Sequence, residues 1–168
     1  MIPTDMIFLG SSLAQGHCFI DKANLNGETK LEVYSSVRET RVFCPPLPDD
    51  VEGDKDAKEK YIAGAPPSAL GGMRFELTYE PPNKRFDSFR GIMRLHHSDA
   101  NPSMSGEAST EIRLDGKPVL MRETNLKNTD FIYGLVVYTG NDTKIQRSNL
   151  EGEKARVKVS QIMRQVRL

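Results

Sequence analysis

The residues best suited to chemistry lie in Asn24-Leu25-Asn26-Gly27-Glu28-Thr29, where an acid directly follows a glycine between two segments of alternating apolar residues. Asn-Gly is a two-residue hairpin signal, because both central positions of a type I′ turn need positive φ. Such a turn pushes the Glu28 carboxylate out at a loop tip, where it can reach a second body. Most turns of this kind are only turns, so Glu28 needs support from elsewhere in the chain. The other reactive side chains offer less. His96 and His97 are adjacent, and neighbouring side chains rarely chelate one ion; with no Cys or carboxylate at ligand spacing, a solvated loop is the simpler reading. Cys18 has no base at a recognisable spacing and reads as a buried thiol. His17 starts a strand and reads as structural. Asp5 and Asp21 read as turn and strand-edge acids without a paired partner. Asn141-Asp142-Thr143 fits the glycosylation pattern, which a cytosolic domain would not use.

The elements that must hold Glu28 are short strands. Met6 to Leu9 reads as a buried strand. His17 to Ala23 alternates, with Cys18, Ile20 and Lys22 on one face, and runs into the Asn-Gly turn; Thr29 to Val33 is the return strand, with Leu31 and Val33 inward. From Arg38 to Gly72, Pro45, Pro46, Pro48, Pro66 and Pro67 bracket a charged run, which predicts a long loop or a short helix on a variable insert. Met73 to Tyr79 alternates as a strand, and Phe86 to Leu95 is another, anchored by Phe89 and Ile92. His97 to Ala108 is a polar loop. Ser109 to Leu114 and Pro118 to Met121 flank Asp115-Gly116, a second hairpin signal. Phe131 to Thr139 is β-branched and aromatic and reads as the central buried strand. Glu153 to Leu168 is the most convincing helix, with Val157, Val159, Ile162 and Met163 at near-helical spacing. The sum is mainly β, a sandwich or jelly roll with many short strands. It divides into a domain over 1–152, with the insert at 38–72, and a basic helix over 153–168.

Composition narrows the function. A chain of 168 residues is one domain with room for a core. Its formal net charge is zero, so nothing steers it to nucleic acid. Its two cysteines suit a reducing cytosol better than a disulfide framework. No signal peptide is expected, and the longest apolar run, Phe131 to Tyr138, falls short of the roughly 20 residues a membrane span needs. A soluble chain is expected.

A second stretch, Leu126 to Lys144, changes the weight given to Glu28. Asn26-Gly27-Glu28-Thr29-Lys30-Leu31-Glu32 resembles the Asp-Gly-Glu-Thr-Asn-Leu-Lys of the actuator domain of phospholipid-translocating P-type ATPases, the flippases. Asn128 to Gly140 is similar to that family's Asn-Thr-(Asp/Glu)-Trp-(Ile/Val)-Tyr-Gly-Val-Val-Val-Tyr-Thr-Gly. Ile2-Pro3-Thr4-Asp5-Met6 looks like its Val-Pro-Ala-Asp-Leu entry, and Glu80-Pro81-Pro82-Asn83 with Phe86, Phe89 and Gly91 resembles its Glu-x-Pro-Asn and Tyr-x-Phe-x-Gly. Four blocks in the family's order cover most of the chain outside its variable segments. The resemblance implies a distorted jelly-roll, or double-stranded β-helix-like, domain with a C-terminal helix.

It also implies a mechanism. In this family an aspartyl phosphate forms on another domain, and the Gly-Glu loop promotes its hydrolysis. Glu28 is thereby assigned to hold the attacking water. Gly27 would let the backbone approach the phosphate, and Thr29 would brace the turn through its hydroxyl. Asn26 departs from the family's Asp, keeping the turn preference but not the charge; related cation pumps have Thr there. Glu123 departs from the family's Gly and is expected to point outward. No cofactor is expected on this domain, since ATP and Mg²⁺ belong to domains elsewhere in the parent. The implied partners are the phosphorylation domain and membrane helices of the same polypeptide, a phospholipid, and an accessory membrane subunit. The implied place is the cytosolic face of a membrane, with the basic 153–168 segment near anionic headgroups. Two alternatives stand beside this reading. One is a cation-pump actuator, against which stand Thr29, where Ser is usual, and the Glu80 to Asn83 block. The other is a stand-alone β-rich interaction module. The identity of the lipid lies in membrane helices outside this chain.

Overall fold

The computed structural model describes residues 1–64, 68–86, 88–96, 109–115 and 119–152. Its strands are β1 (Asp5–Ser11), β2 (His17–Asp21), β3 (Glu32–Ser35), β4 (Arg74–Tyr79), β5 (Arg90–His96), β6 (Ser109–Asp115), β7 (Val119–Leu120), β8 (Asn125–Lys127) and β9 (Ile132–Tyr138). They form three antiparallel three-stranded sheets, ordered β7-β1-β9, β3-β2-β8 and β4-β5-β6. The chain is mainly β, as its alternating segments predict. Short helices α1 (Ala23–Asn26), α2 (Lys55–Ile62) and α3 (Ser68–Gly71) join the strands, and residues 144–152 are helical.

All seven residues of β1 are buried. Successive side chains of a strand point to opposite faces, and here both faces are covered. Ile7 and Leu9 join Val37, Cys44, Phe89, Met93, Leu114 and Tyr138 in one core, whereas Met6 and Phe8 join Cys18, Ile20, Tyr34 and Leu120 in another. The β1 sheet is therefore the middle layer, with the β2 sheet on one side and the β5 sheet on the other. A strand covered on both faces reads as a continuous apolar run rather than an alternation, which is how Met6 to Leu9 stands in the sequence. Close packing extends to the backbone: a Cβ at Gly10 would stand 2.5 Å from the Cβ of Cys44.

Several sequence expectations are corrected. The central strand is β1, and β9 lies at the edge of its sheet with Val136 half exposed. In β3 the inward residue is Tyr34, while Val33 faces out, because the register sets Tyr34 opposite the buried Cys18. In β5 Phe89 does anchor the entry, but Met93 and Leu95 fill the core and Ile92 is exposed. The strands on either side of Asp115-Gly116 do not pair with each other as a hairpin would require: β6 pairs with β5, and β7 with β1 in another sheet. Within the 38–72 stretch, Thr40, Cys44 and Leu47 are buried, and the Asp54 side chain caps α2 by accepting from the N–H groups of Asp56 and Ala57. The helix expected over 153–168 and the loop over 97–108 lie outside the described residues.

Asp5 is not a lone turn acid. It is fully buried; Oδ1 accepts the Arg122 N–H at 2.8 Å and Oδ2 the Lys144 N–H at 2.7 Å. The second bond satisfies a backbone donor at the start of helix 144–152, which would otherwise be an orphan, and places negative charge at the positive end of the helix dipole. The Lys144 side chain is 1% exposed. Its Nζ donates to Ser88 O at 2.8 Å and to Asn83 Oδ1 at 3.0 Å, with Glu80 Oε1 3.9 Å away. Tyr138 completes the cluster by donating its hydroxyl to Glu80 O at 2.7 Å.

Two stability measurements follow from this packing. Asp5→Asn keeps one acceptor but turns an amide NH₂ toward the other N–H, and is expected to cost about 1–3 kcal/mol in urea unfolding. Burial raises the Asp5 pKa above 3.8, against the pull of the Arg122 and Lys144 N–H bonds and charges. The folded state thus holds this proton to higher pH than the unfolded state, so the wild type loses stability relative to Asp5→Asn as pH rises from about 4 through the folded pKa. A gap that instead widens with pH would show the shift to be downward. Gly10→Ala is expected to lower stability by about 1–3 kcal/mol through overpacking against Cys44, read as a lower urea midpoint at unchanged slope.

Candidate functional site

Strands β2 and β3 do form an antiparallel hairpin, with Ile20 opposite Glu32 as the last pair. Asn26-Gly27 is not its two-residue turn. The connection contains α1, and the Asn-Gly pair ends that helical turn: Gly27 takes φ 75°, ψ 0° and donates its N–H to Ala23 O at 3.0 Å. Glycine just past a helix end, in the left-handed region, is a helix stop signal; it competes with the hairpin signal whenever a few helix-tolerant residues precede it. Asp21 starts the turn by accepting the Ala23 N–H at 2.9 Å.

Glu28 follows directly and is exposed, as are Asn26, Gly27 and Thr29. Asn26 Oδ1 accepts the Glu28 N–H at 3.0 Å, an Asx-type bond that an aspartate can make equally well. Asn26 thus braces the tip through its side chain. A Cβ on Gly27 would meet nothing within 4 Å, so glycine is required here by its φ rather than by crowding within the domain. The result is a carboxylate on a short, backbone-locked projection, able to accept hydrogen bonds from a ligand or partner.

The fold brings part of the second motif beside this loop. β8 pairs with β2, setting Lys127 opposite Phe19, and the Thr129 hydroxyl accepts the Phe19 N–H at 3.4 Å. Asn24 Nδ2 reaches Glu123 O at 3.5 Å, and the Glu123 N–H donates to Ile2 O at 3.0 Å, so Glu123 links the loop to the entry segment. At the loop base Lys22 Nζ lies 3.0 Å from Glu32 Oε2 and 5.2 Å from the Tyr34 ring centroid. Burial pulls the Lys22 pKa down, but Tyr34 and Glu32 outweigh it and raise the value. Lys22 is a residue that sequence reading used only to mark a strand face. The 80–83 block is placed elsewhere, with Lys144 and Tyr138.

The remaining candidates do not gather into a site. Burial pushes the thiols of Cys18 and Cys44 up to about 12 and about 11, so they stay protonated. Thr143 of the Asn141-Asp142-Thr143 pattern is fully buried and bonds to Gly140 O at 2.9 Å. Among the described residues, no three His, Cys, Asp or Glu side chains are placed to share a metal ion, and no helix is long and apolar enough to cross a membrane.

No family model matches the sequence. Over 149 residues, 89% of its length, the chain is 29% identical to a phospholipid-transporting ATPase of Schizosaccharomyces pombe. Over 147 residues, 88% of its length, it is 33% identical to a phospholipid-transporting ATPase of Saccharomyces cerevisiae. The chain is related to one segment of the phospholipid-transporting ATPases. The flippase-related segment is short, spanning 9% and 8% of those two relatives. A guanylate cyclase of Toxoplasma gondii is 29% identical over 88% of this chain, which spans 3% of that protein.

Glu123, where the resembling motif has Gly, explains that preference. It adopts φ 69°, the left-handed region that disfavours a Cβ. Glu123→Gly relieves that strain, less the entropy glycine loses on folding, and is expected to stabilise the chain by about 0.5–1 kcal/mol. A thermal melt checks this; a lower Tm would mean that the Glu123 ion pair with Arg122, at 3.6 Å, outweighs the strain.

Proposed function

We propose that this chain is the actuator domain of a phospholipid-translocating P-type ATPase, and that Glu28 positions the water that hydrolyses an aspartyl phosphate formed on another domain of the same polypeptide. The observation that carries this is the exposed Glu28 carboxylate, locked by the left-handed Gly27 and the Asn26–Glu28 bond on a segment related to those ATPases. A carboxylate accepts the water's proton and directs its lone pair at phosphorus. As the new P–O bond forms, the bond to the aspartyl oxygen breaks, leaving phosphate and a free aspartate. Gly27 and Asn26 hold the tip in place so that little reorganisation remains at the moment of attack.

The domain's second task in this reading is mechanical. Asp5 fixes the entry strand to the start of helix 144–152, so rotation of the body moves both chain connections together. Those connections lead to membrane helices, whose movement carries the phospholipid. ATP and Mg²⁺ serve the phosphorylation step on other domains, and an accessory membrane subunit is a further possible partner of the whole pump. The match to a guanylate cyclase favours a second reading, in which the same domain operates inside a longer polypeptide with another catalytic region. Sequencing the transcript on both sides of this segment distinguishes the two.

In the full-length protein, Glu28→Gln is expected to leave phosphoenzyme formation from ATP intact and slow its decay roughly 10²–10⁴-fold. Pulse-chase of the labelled phosphoenzyme measures this, and decay at the parental rate would remove Glu28 from the reaction.

A further inference from the structure

Glu28 projects at the end of a connection whose tip makes few bonds to the body. Residues 26–30 are all exposed, and the Asn24 contact with Glu123 is long, at 3.5 Å. Beyond the β2–β3 ladder, which ends at Ile20–Glu32, one charged pair spans the mouth of the loop. Lys22 directly follows β2 and Glu32 opens β3, and their side chains meet at 3.0 Å while only 16% and 30% exposed. The pair is seated on the core, because the Lys22 ammonium lies 5.2 Å from the ring centroid of Tyr34, itself 4% exposed and packed with Phe8, Cys18 and Ile20. A half-shielded ion pair over an aromatic face is stronger than a solvated surface pair. Glu32 also stands where the resembling motif carries Lys, so the pair belongs to this chain's own sequence.

We infer that Lys22 and Glu32 are positioning residues for Glu28: their contact across the loop mouth sets the loop's reach and keeps the carboxylate tip at one distance from whatever it acts on. This rests on the Glu28 reading above. Without the pair the connection beyond the last ladder pair is held by backbone bonds alone, and the tip samples positions from which attack is poorly aimed. Displacements near 1 Å from mutations remote from the chemistry cost on the order of 10²-fold in rate; a loop that still visits the correct position loses less.

The test uses the full-length protein in native membranes, with Lys22→Ala, Glu32→Ala, the double variant, Lys22→Arg and Glu28→Gln compared side by side. The expected result is phosphoenzyme decay slowed about tenfold in each single alanine variant. The double variant should be no slower than the singles, because both remove one contact. Lys22→Arg should stay near the parental rate, since Arg keeps the charge and the aromatic contact. Phosphoenzyme formation should be unchanged in all of them. Hydrogen exchange of the peptide covering 22–32 should quicken in the alanine variants and stay parental in Glu28→Gln. If Lys22→Ala decays at the parental rate while Glu28→Gln is arrested, the pair does not position the loop and this inference is overturned. Formation and thermal stability falling together with decay in Lys22→Ala would equally overturn it, since that is the pattern of a merely structural contact. Parental decay in Glu28→Gln, with quickened exchange in Lys22→Ala, removes the Glu28 reading and with it the catalytic part of the pair's role.

Discussion

The Asp5 carboxylate accepts N–H groups from Arg122 and Lys144, which lie 117 and 139 positions further along the chain. An unpaired buried carboxylate would be costly, so the two backbone segments that satisfy it are held there. One is the turn that follows β7 and precedes β8; the other is the start of helix 144–152. Through Lys144 the constraint extends to Asn83 and Ser88, which set the entry to β5. All three sheets are thus referred to one point near the beginning of β1, and the two apolar cores on either side of β1 fill the space that this frame leaves.

The loop carrying Glu28 is built on a different principle. Its tip is defined by backbone geometry, by a left-handed glycine and a side chain that bonds two residues ahead, while its base is a strand ladder spanned by a charged pair. The tip therefore gives precision over a few atoms, and the base joins those atoms to the sheet. Such a division suits a group that must meet a partner across a gap, since the projection needs no contact with the partner to keep its shape. It also explains why the 23–26 turn is helical: a two-residue hairpin turn would hold Glu28 close to the sheet.

The sequence made local runs legible and hid what depends on distant partners. The continuous apolar run of β1, the alternation of β4 and the exposed placing of the Gly27-Glu28 pair all follow from short-range pattern. The inward phase of β3 does not, because Val33 and Tyr34 are both plausible core residues and only pairing with Cys18 chooses between them. Asp115-Gly116 has a hairpin's turn chemistry, yet its flanking strands belong to different sheets. Asp5 looked isolated because its partners are backbone N–H groups, which no side-chain pattern records. Lys22 and Glu32 are charges ten residues apart; the intervening turn brings them together, and its helical form was masked by the Asn-Gly signal. Glu123 was visible as an oddity only through comparison with a motif that has glycine there, and its positive φ supplies the reason.

One consequence of the Asp5–Lys144 tie concerns how this unit can be inherited. Strand β1 and helix 144–152 begin at the same buried carboxylate, so the start of the first strand and the start of the last described helix lie side by side. A unit with adjacent flanks works as a cassette: it can be inserted into a loop of a host without prying the host's own elements apart. The matched segment is a small fraction of much longer relatives, some named as ATPases and others as cyclases.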